Sequence, residues 1–251
     1  MISLWILRVL CDFRLLVSIS DNIAQIRRRM AEAAHRVGRD PGGISLMAVS
    51  KTQAPERIRG AYEAGLRLFG ENRVQEFVGK AAALRELADA EWRMIGHLQS
   101  NKAAKAAELF TAVDSVDSLR LAEKLNTAAG EQRKKLVVLI EINVGGETAK
   151  SGVAAESEEL QELLQGAGGL EHLEFRGLMT VPPFTQDPEQ ARPYFRALRE
   201  LRDQIAARRL PGISMQALSM GMSHDFEVAI EEGSTCVRIG TAIFGERSKP
   251  A

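Results

Sequence analysis

The chain has 251 residues, enough to bury the core of one large α/β barrel or of two modest domains. Lysine plus arginine total 33 and aspartate plus glutamate total 33, so the net charge is zero, which disfavours nucleic acid and anionic membranes as partners. Cys11 and Cys236 match neither a disulfide framework nor the paired spacing of a zinc site. This composition favours a small-molecule partner and a reducing, cytoplasmic location, and it permits a monomer.

Residues 1–19 are apolar, but Arg8, Asp12 and Arg14 interrupt them before any run reaches the roughly 18 residues of a membrane helix. No basic region precedes the apolar part and no small-residue cleavage site follows it, which disfavours a signal peptide. An overlong start or a loose extra helix would explain the stretch. We therefore interpret residues 1–19 as an N-terminal extension and residues 20–251 as one barrel domain.

After Ser20, short β-prone apolar runs alternate with amphipathic stretches, a pattern typical of parallel strands joined by helices. The predicted strands are residues 44–50, 66–69, 92–95, 112–116, 136–142, 174–178, 214–218 and 236–239. The predicted helices include residues 21–37, 55–64, 74–86, 118–129, 154–165, 188–207 and 226–232. Eight such units in 251 residues predict a single-domain (β/α)8 TIM barrel, with an open doubly wound sheet as the alternative.

Several helix boundaries have a local cause. Asp21 is expected to cap the N-terminus of one helix, and Asp117 and Ser118 are expected to open the helix after the fourth strand. Gly130, Gly166 and Gly233 stand where helices are expected to stop. No linker, tandem repeat or low-complexity tract divides the chain, which favours one domain over two.

Two small-residue motifs follow the last two predicted strands, at residues 218–223 and 237–241. Phosphate commonly docks at these loops of a barrel, where backbone N–H groups and hydroxyls converge. Lys51 follows the first strand, which barrel closure places beside the eighth, and a lysine there can form an imine with an aldehyde. Pyridoxal 5'-phosphate carries both a phosphate and an aldehyde. A solvated loop lysine and an ordinary turn are the alternatives.

Three further residues are candidates for the site. Arg238 is predicted to point inward on the last strand, toward either a pyridine nitrogen or a carboxylate such as Glu141. Asn72, after the second strand, either contacts a ring hydroxyl or caps a helix. His97, after the third strand, is placed for acid–base work. The histidines share no metal-ligand spacing, so no metal site is predicted.

Five segments closely resemble the pyridoxal phosphate homeostasis protein family: residues 48–51, 69–76, 95–102, 218–223 and 237–245. The resemblance runs from about residue 20 to residue 247 and implies a stand-alone barrel like that of alanine racemase. It further implies a Schiff base at Lys51, an Arg238 contact to the ring nitrogen and a place for Asn72 beside the ring. The phosphate contacts that it implies are Ser219, Gly221, Met222, Ser223, Gly240 and Thr241. Met179, after the sixth predicted strand, completes the expected cofactor-binding set.

The resemblance implies a carrier or buffer of the cofactor in vitamin B6 homeostasis, with apoenzymes as recipients and no strong catalytic activity. A weak amino-acid racemase is the alternative, with His97 or water as the second acid. Such enzymes commonly use a tyrosine, but Tyr62 and Tyr194 lie in predicted outer helices. A sugar-phosphate enzyme of the same barrel class ranks last.

Overall fold

Eight parallel strands close into a barrel in the computed structural model, which describes residues 18–147 and 151–245. Each strand pairs with the next along the chain, and β8 pairs with β1. The strands are β1 (Ser45–Val49), β2 (Leu68–Glu71), β3 (Glu91–Met94), β4 (Ala112–Val116), β5 (Leu136–Glu141), β6 (Leu173–Met179), β7 (Ile213–Ser219) and β8 (Cys236–Ile239). The predicted barrel and its eight strands are confirmed. The predicted extension, apart from Ser18 and Ile19, lies outside the described residues.

Helices connect the strands on the outside of the barrel. They are α1 (Ile19–Arg36), α2 (Pro55–Glu63), α3 (Val74–Ala81), α4 (Ala103–Leu109), α5 (Leu119–Glu131), α6 (Glu158–Gly166), α7 (Arg192–Ala207), α8 (Phe226–Glu231) and α9 (Thr241–Phe244). Short 3-10 turns occupy Pro41–Gly43, Ala82–Leu84, Ser100–Lys102, Ala167–Gly169 and Pro188–Ala191. The sequence interpretation did not include α4 or α9.

Of the residues predicted to cap or stop helices, Asp21 and Gly130 are wrong for identifiable reasons. Helix α1 begins at Ile19 because Ser18 is its N-cap, and Asp21 completes a capping box from inside the first turn. Gly130 does not end α5, which continues to Glu131. A Cβ at Gly130 would lie 2.7 Å from the ring of His172, so this glycine permits a close side-chain approach. Ser118 does cap α5, and Gly233 follows α8 with a φ of 103°.

Strand residues alternate between two apolar regions. Leu46 and Ala48 of β1 belong to the large cluster that includes the buried faces of the helices. Met47, between them, packs with Ile95 and Cys236 in a smaller cluster inside the barrel. This alternation fixes which side chains at the carboxyl ends of the strands reach the mouth of the barrel.

Among residues 18–147 and 151–245, no helix has the length and apolar character needed to cross a membrane. The same residues include no group of three or more histidine, cysteine, aspartate or glutamate side chains arranged to hold a metal ion.

Candidate cofactor site

Lys51 lies just beyond the carboxyl end of β1, at the mouth of the barrel. The preceding residue, Ser50, donates its N–H to the carbonyl of Gly70 at 3.0 Å, so the chain is still anchored to β2 there. Gln53 then donates its N–H to the carbonyl of Ser50 at 3.1 Å, which closes a tight turn around the lysine. This turn directs the chain from β1 into α2.

A cavity of about 250 Å³ opens beside Lys51, slightly smaller than typical small-molecule sites of about 300–1,000 Å³. The lysine, Arg238 of β8 and the two predicted phosphate loops meet on its walls. Its lining residues are Val49, Lys51, Gln53, Phe184, Met222, Ser223, His224, Arg238, Gly240, Thr241 and Gly245. Barrel closure therefore joins residues from the two ends of the sequence in one cavity, as the sequence interpretation required.

Arg238 is only 3% exposed and is held from two sides inside the barrel. Its Nη1 donates to Ser219 Oγ at 2.8 Å, and its Nη2 donates to the carbonyl of Thr180 at 2.7 Å. Glu141, the alternative partner considered for Arg238, instead accepts from Ser151 Oγ at 2.9 Å, and no ion pair joins it to Arg238 among the described residues. Burial lowers the pKa of Arg238, while the charges of Cys236, Asp114, Glu141 and Asp225 oppose that change.

The loop after β7 is held in place by its own backbone and by β8. Gly221 has a φ of 94°, a conformation that favours glycine, and a Cβ there would lie 2.6 Å from the side chain of Ala229. Its carbonyl accepts from the N–H of Arg238 at 2.9 Å. The N–H of Met222 donates to Asp225 Oδ1 at 2.6 Å. The loop that precedes Ser223 is thus fixed before any ligand binds.

The loop after β8 approaches the same point from the other side. The N–H of Ala242, in the first turn of α9, donates to Ser223 Oγ at 3.4 Å. Ser223 and Thr241 therefore contribute hydroxyls to one end of the cavity, with Gly240 between the strand and the helix. Hydroxyls and small residues of this kind are suited to a phosphate group.

Asn72 and His97 line a second cavity of about 540 Å³ at the barrel mouth, together with Glu141 and Ser151. Asn72 does not cap α3, whose N-cap position is occupied by Arg73. Its buried Oδ1 has no hydrogen-bond partner within residues 18–147 and 151–245. His97 Nδ1 lies 3.1 Å from Asp117 Oδ2, and the histidine side chain is 57% exposed. Burial raises the pKa of Glu141, and the nearby charge of Asp117 adds to that effect.

The ten expected cofactor-binding residues occupy four kinds of position. Lys51, Met222, Ser223, Arg238, Gly240 and Thr241 line the first cavity, whereas Asn72 lines the second. Gly221 shapes the backbone of the β7 loop. Ser219 and Met179 are fully buried neighbours in the sheet register of β6 and β7. Ser219 contacts the guanidinium of Arg238 from this position.

Sequence reasoning missed one wall of the first cavity. Phe184, which is 81% exposed, and His224 have ring centroids 5.6 Å apart, and His224 Nε2 lies 3.0 Å from the carbonyl of Gln186. The pair joins the loop after β6 to the loop after β7. The signal in the sequence was an apolar aromatic residue, Phe184, in a predicted loop. Its partner His224 is 40 residues further along the chain, so the sequence did not indicate that the two rings meet.

The donors around the first cavity fit pyridoxal 5'-phosphate. A lysine can condense with the aldehyde, and the hydroxyls of Ser223 and Thr241 suit the phosphate. Arg238 carries only donors, so it fits an unprotonated pyridine nitrogen. The fold and the site together define a class: single (β/α)8 barrels whose strand ends hold a phosphorylated carbonyl compound beside a lysine.

Comparison with known proteins gives the family. The sequence model described as "Alanine racemase, N-terminal domain" matches residues 18–248. The pyridoxal phosphate homeostasis protein of Aquifex aeolicus is 47% identical over 227 residues, which cover 90% of this chain and 97% of that one. The chain belongs to the pyridoxal phosphate homeostasis protein family, within the alanine racemase N-terminal domain family, which confirms the resemblance.

Solved structures agree with this assignment. A structure described as PipY of Synechococcus elongatus with PLP bound has 35% identity and a TM-score of 0.80, and the match covers 90% of this chain and 100% of that chain. An alanine racemase of Clostridium difficile has 16% identity and a TM-score of 0.69, with coverage of 93% of this chain and 58% of that one. The latter similarity concerns the fold alone.

Proposed function

We propose that this chain binds pyridoxal 5'-phosphate as a Schiff base with Lys51 and serves in intracellular vitamin B6 homeostasis. The observation that carries the proposal is the single cavity in which Lys51, Arg238 and the hydroxyls of Ser223 and Thr241 meet. The names of the relatives and the PLP-bound PipY structure support it. We further propose a cytoplasmic monomer that delivers the cofactor to apoenzymes.

Each group around the cavity has a distinct task in this proposal. Lys51 supplies the amine, and the loops containing Ser223 and Thr241 bind the phosphate. Arg238 orients the ring, and its fixed positive charge disfavours protonation of the pyridine nitrogen. The cofactor supplies an electrophilic carbon and an electron sink when bound, and this arginine keeps the sink weak. The arrangement therefore favours holding the cofactor over using it for strong carbanion chemistry.

The positions of the tyrosines support a carrier rather than a two-base racemase. Tyr62 lies in α2, and its hydroxyl donates to Asp89 on the outside of the barrel. Tyr194 lies in α7, between β6 and β7 in the chain. Neither tyrosine is among the described residues that line the two cavities at the barrel mouth. A second proton donor would have to come from His97 or from water.

Absorbance spectroscopy with added pyridoxal 5'-phosphate tests the proposal. Wild-type protein is expected to turn yellow and to develop the absorbance of a protonated Schiff base. The variant Lys51→Ala is expected to lose this band, and its thermal unfolding transition shows that the loss occurs in a folded protein. A wild-type protein that stays colourless with excess cofactor would refute the proposal.

A further inference from the structure

A buried cluster of charges lies directly behind the turn that contains Lys51. Lys80 of α3 is 7% exposed, and its Nζ lies 2.8 Å from Glu71 Oε1 and 3.0 Å from Glu76 Oε1. Glu71 ends β2 and is fully buried. We call Lys80, Glu71 and Glu76 the Lys80 cluster. None of the three lines the cavity beside Lys51.

The Lys80 cluster holds the residue that precedes Lys51. Lys80 Nζ donates to the carbonyl oxygen of Ser50 at 2.9 Å, and Ser50 Oγ donates to Glu71 Oε1 at 2.6 Å. The ammonium thus has three oxygen partners, from Ser50, Glu71 and Glu76. An ammonium group has only three N–H bonds, so each can be directed at one of these oxygens. The carbonyl and the hydroxyl of Ser50 are both fixed by this arrangement.

The cluster also holds the residue that follows Lys51. The backbone N–H of Thr52 donates to Glu76 Oε1, the same oxygen that faces Lys80. Thr52 has a φ of 62°, which is rare for a β-branched residue and persists only where the surroundings hold it. Glu76 therefore stabilises an unfavourable backbone conformation next to the lysine.

Lys51 is fixed on both sides by contacts that do not involve its own side chain. Its two neighbours in sequence are held by one ammonium and two carboxylates from β2 and α3. A small rotation of the Thr52 peptide would swing the direction in which the Lys51 side chain leaves the turn. The Lys51 amine must reach the aldehyde carbon of a ligand whose phosphate is bound by other loops. Imine formation is therefore sensitive to such a displacement.

We propose that Glu76 and Lys80 are positioning residues for Lys51, and that they hold the Ser50–Thr52 turn in the one conformation that allows efficient imine formation with a phosphorylated aldehyde. This inference rests on the proposed function, since it concerns the same lysine. It assigns a role to side chains that do not line the cavity beside Lys51.

Glu76 offers a cleaner test than Lys80. Removing Lys80 leaves the fully buried Glu71 carboxylate without its cation, which by itself would strongly destabilise the barrel. Glu76 is half-buried, so Glu76→Met removes the acceptor of the Thr52 N–H with less effect on the core. Glu76→Gln keeps an oxygen in that place. Glu86→Met, at a half-exposed glutamate paired with Arg59 on the surface, is the matched control for the substitution itself.

The experiment titrates pyridoxal 5'-phosphate into each purified full-length variant and measures imine absorbance and the fraction of protein trapped by borohydride. We expect Glu76→Met to weaken imine formation at least about tenfold, as suits the loss of a contact that stabilises a strained backbone. Glu76→Gln and Glu86→Met should stay within about threefold of wild type. Thermal unfolding of the cofactor-free proteins shows whether each variant is folded at the temperature of the titration.

A second substitution separates positioning from general damage. Glycine adopts a positive φ at no steric cost, so Thr52→Gly should restore part of the imine formation lost in Glu76→Met. If Glu76→Met forms the imine as wild type does, or if it fails and Thr52→Gly restores nothing, the inference is overturned. If the wild-type protein forms no imine, the proposed function itself fails. That result differs from a loss of imine formation that occurs in Glu76→Met while the wild type still forms the imine.

Discussion

Ser219, at the end of β7, and Ser223, in the loop that follows, should respond differently to replacement by alanine. The family resemblance implies that Ser219 and Ser223 both contact phosphate, but the structure gives them different surroundings. Ser219 is fully buried and its hydroxyl accepts from Arg238 Nη1 at 2.8 Å. Ser223 lines the cavity and accepts a long hydrogen bond of 3.4 Å from the N–H of Ala242.

The expected magnitudes follow from these contacts. Ser219→Ala leaves a buried guanidinium without one acceptor, and hydrogen bonds to charged groups contribute about 1.5–3 kcal/mol. For a domain of this size, this corresponds to a fall in melting temperature of about 3 to 12 °C. Ser223→Ala should change the melting temperature little. It should weaken pyridoxal 5'-phosphate binding about tenfold or more, because it removes one charge-assisted hydrogen bond to the phosphate.

Differential scanning calorimetry of the cofactor-free proteins and absorbance titrations of the same samples give the two readouts. Ser219→Ala is also expected to shift the imine absorbance, because Arg238 would lose one of the two contacts that hold it. If Ser219→Ala keeps the wild-type melting temperature and weakens cofactor binding as much as Ser223→Ala does, the structural distinction between the two serines is refuted.

Three other predictions concern burial, packing and chemistry. Burial raises the pKa of Glu141, so ionisation of this carboxyl lowers the stability of the folded protein as pH rises from the unfolded pKa through the folded one. In urea unfolding, the free energy of unfolding of Glu141→Gln relative to wild type should therefore increase from pH 5 to pH 8. A constant difference across that range would contradict this. A Cβ at Gly177 would lie 1.9 Å from the carbonyl oxygen of Ala217, so Gly177→Ala should destabilise the protein by about 3 kcal/mol or more. A Cβ at Gly79 in α3 would meet no atom of the described residues within 4 Å, so Gly79→Ala should be neutral or stabilising by up to about 1 kcal/mol. With L-amino acids in deuterated water, the loaded protein should incorporate α-deuterium no faster than free pyridoxal 5'-phosphate; faster exchange with inversion that disappears in His97→Gln would favour the racemase alternative.

The strands were predictable because each is a short apolar run between helical stretches. Ala112–Val116 and Cys236–Ile239 have the predicted bounds. Helix α4, Ala103–Leu109, was missed because its buried residues are Ala103, Ala106 and Ala107, which give little hydrophobic contrast. The start of α1 was missed because the apolar residues before Ser18 obscured its capping signal.

The site was predictable to the extent that barrel topology alone brings residues together. Lys51, Arg238 and the loops after β7 and β8 follow from which strands are neighbours in a closed barrel. The bond between Ser219 and Arg238 and the contacts of Lys80 with Ser50 depend on strand register and helix rotation. Sequence spacing does not determine either quantity, so these supporting contacts required the structure.

Mass spectrometry of the protein reduced with borohydride in the presence of pyridoxal 5'-phosphate tests the central claim most directly. The account predicts one added phosphopyridoxyl group per chain, located on the peptide that contains Lys51, and no such addition in Lys51→Ala. An unmodified Lys51 in a folded, cofactor-saturated protein, or a label carried by another lysine in its place, would contradict it.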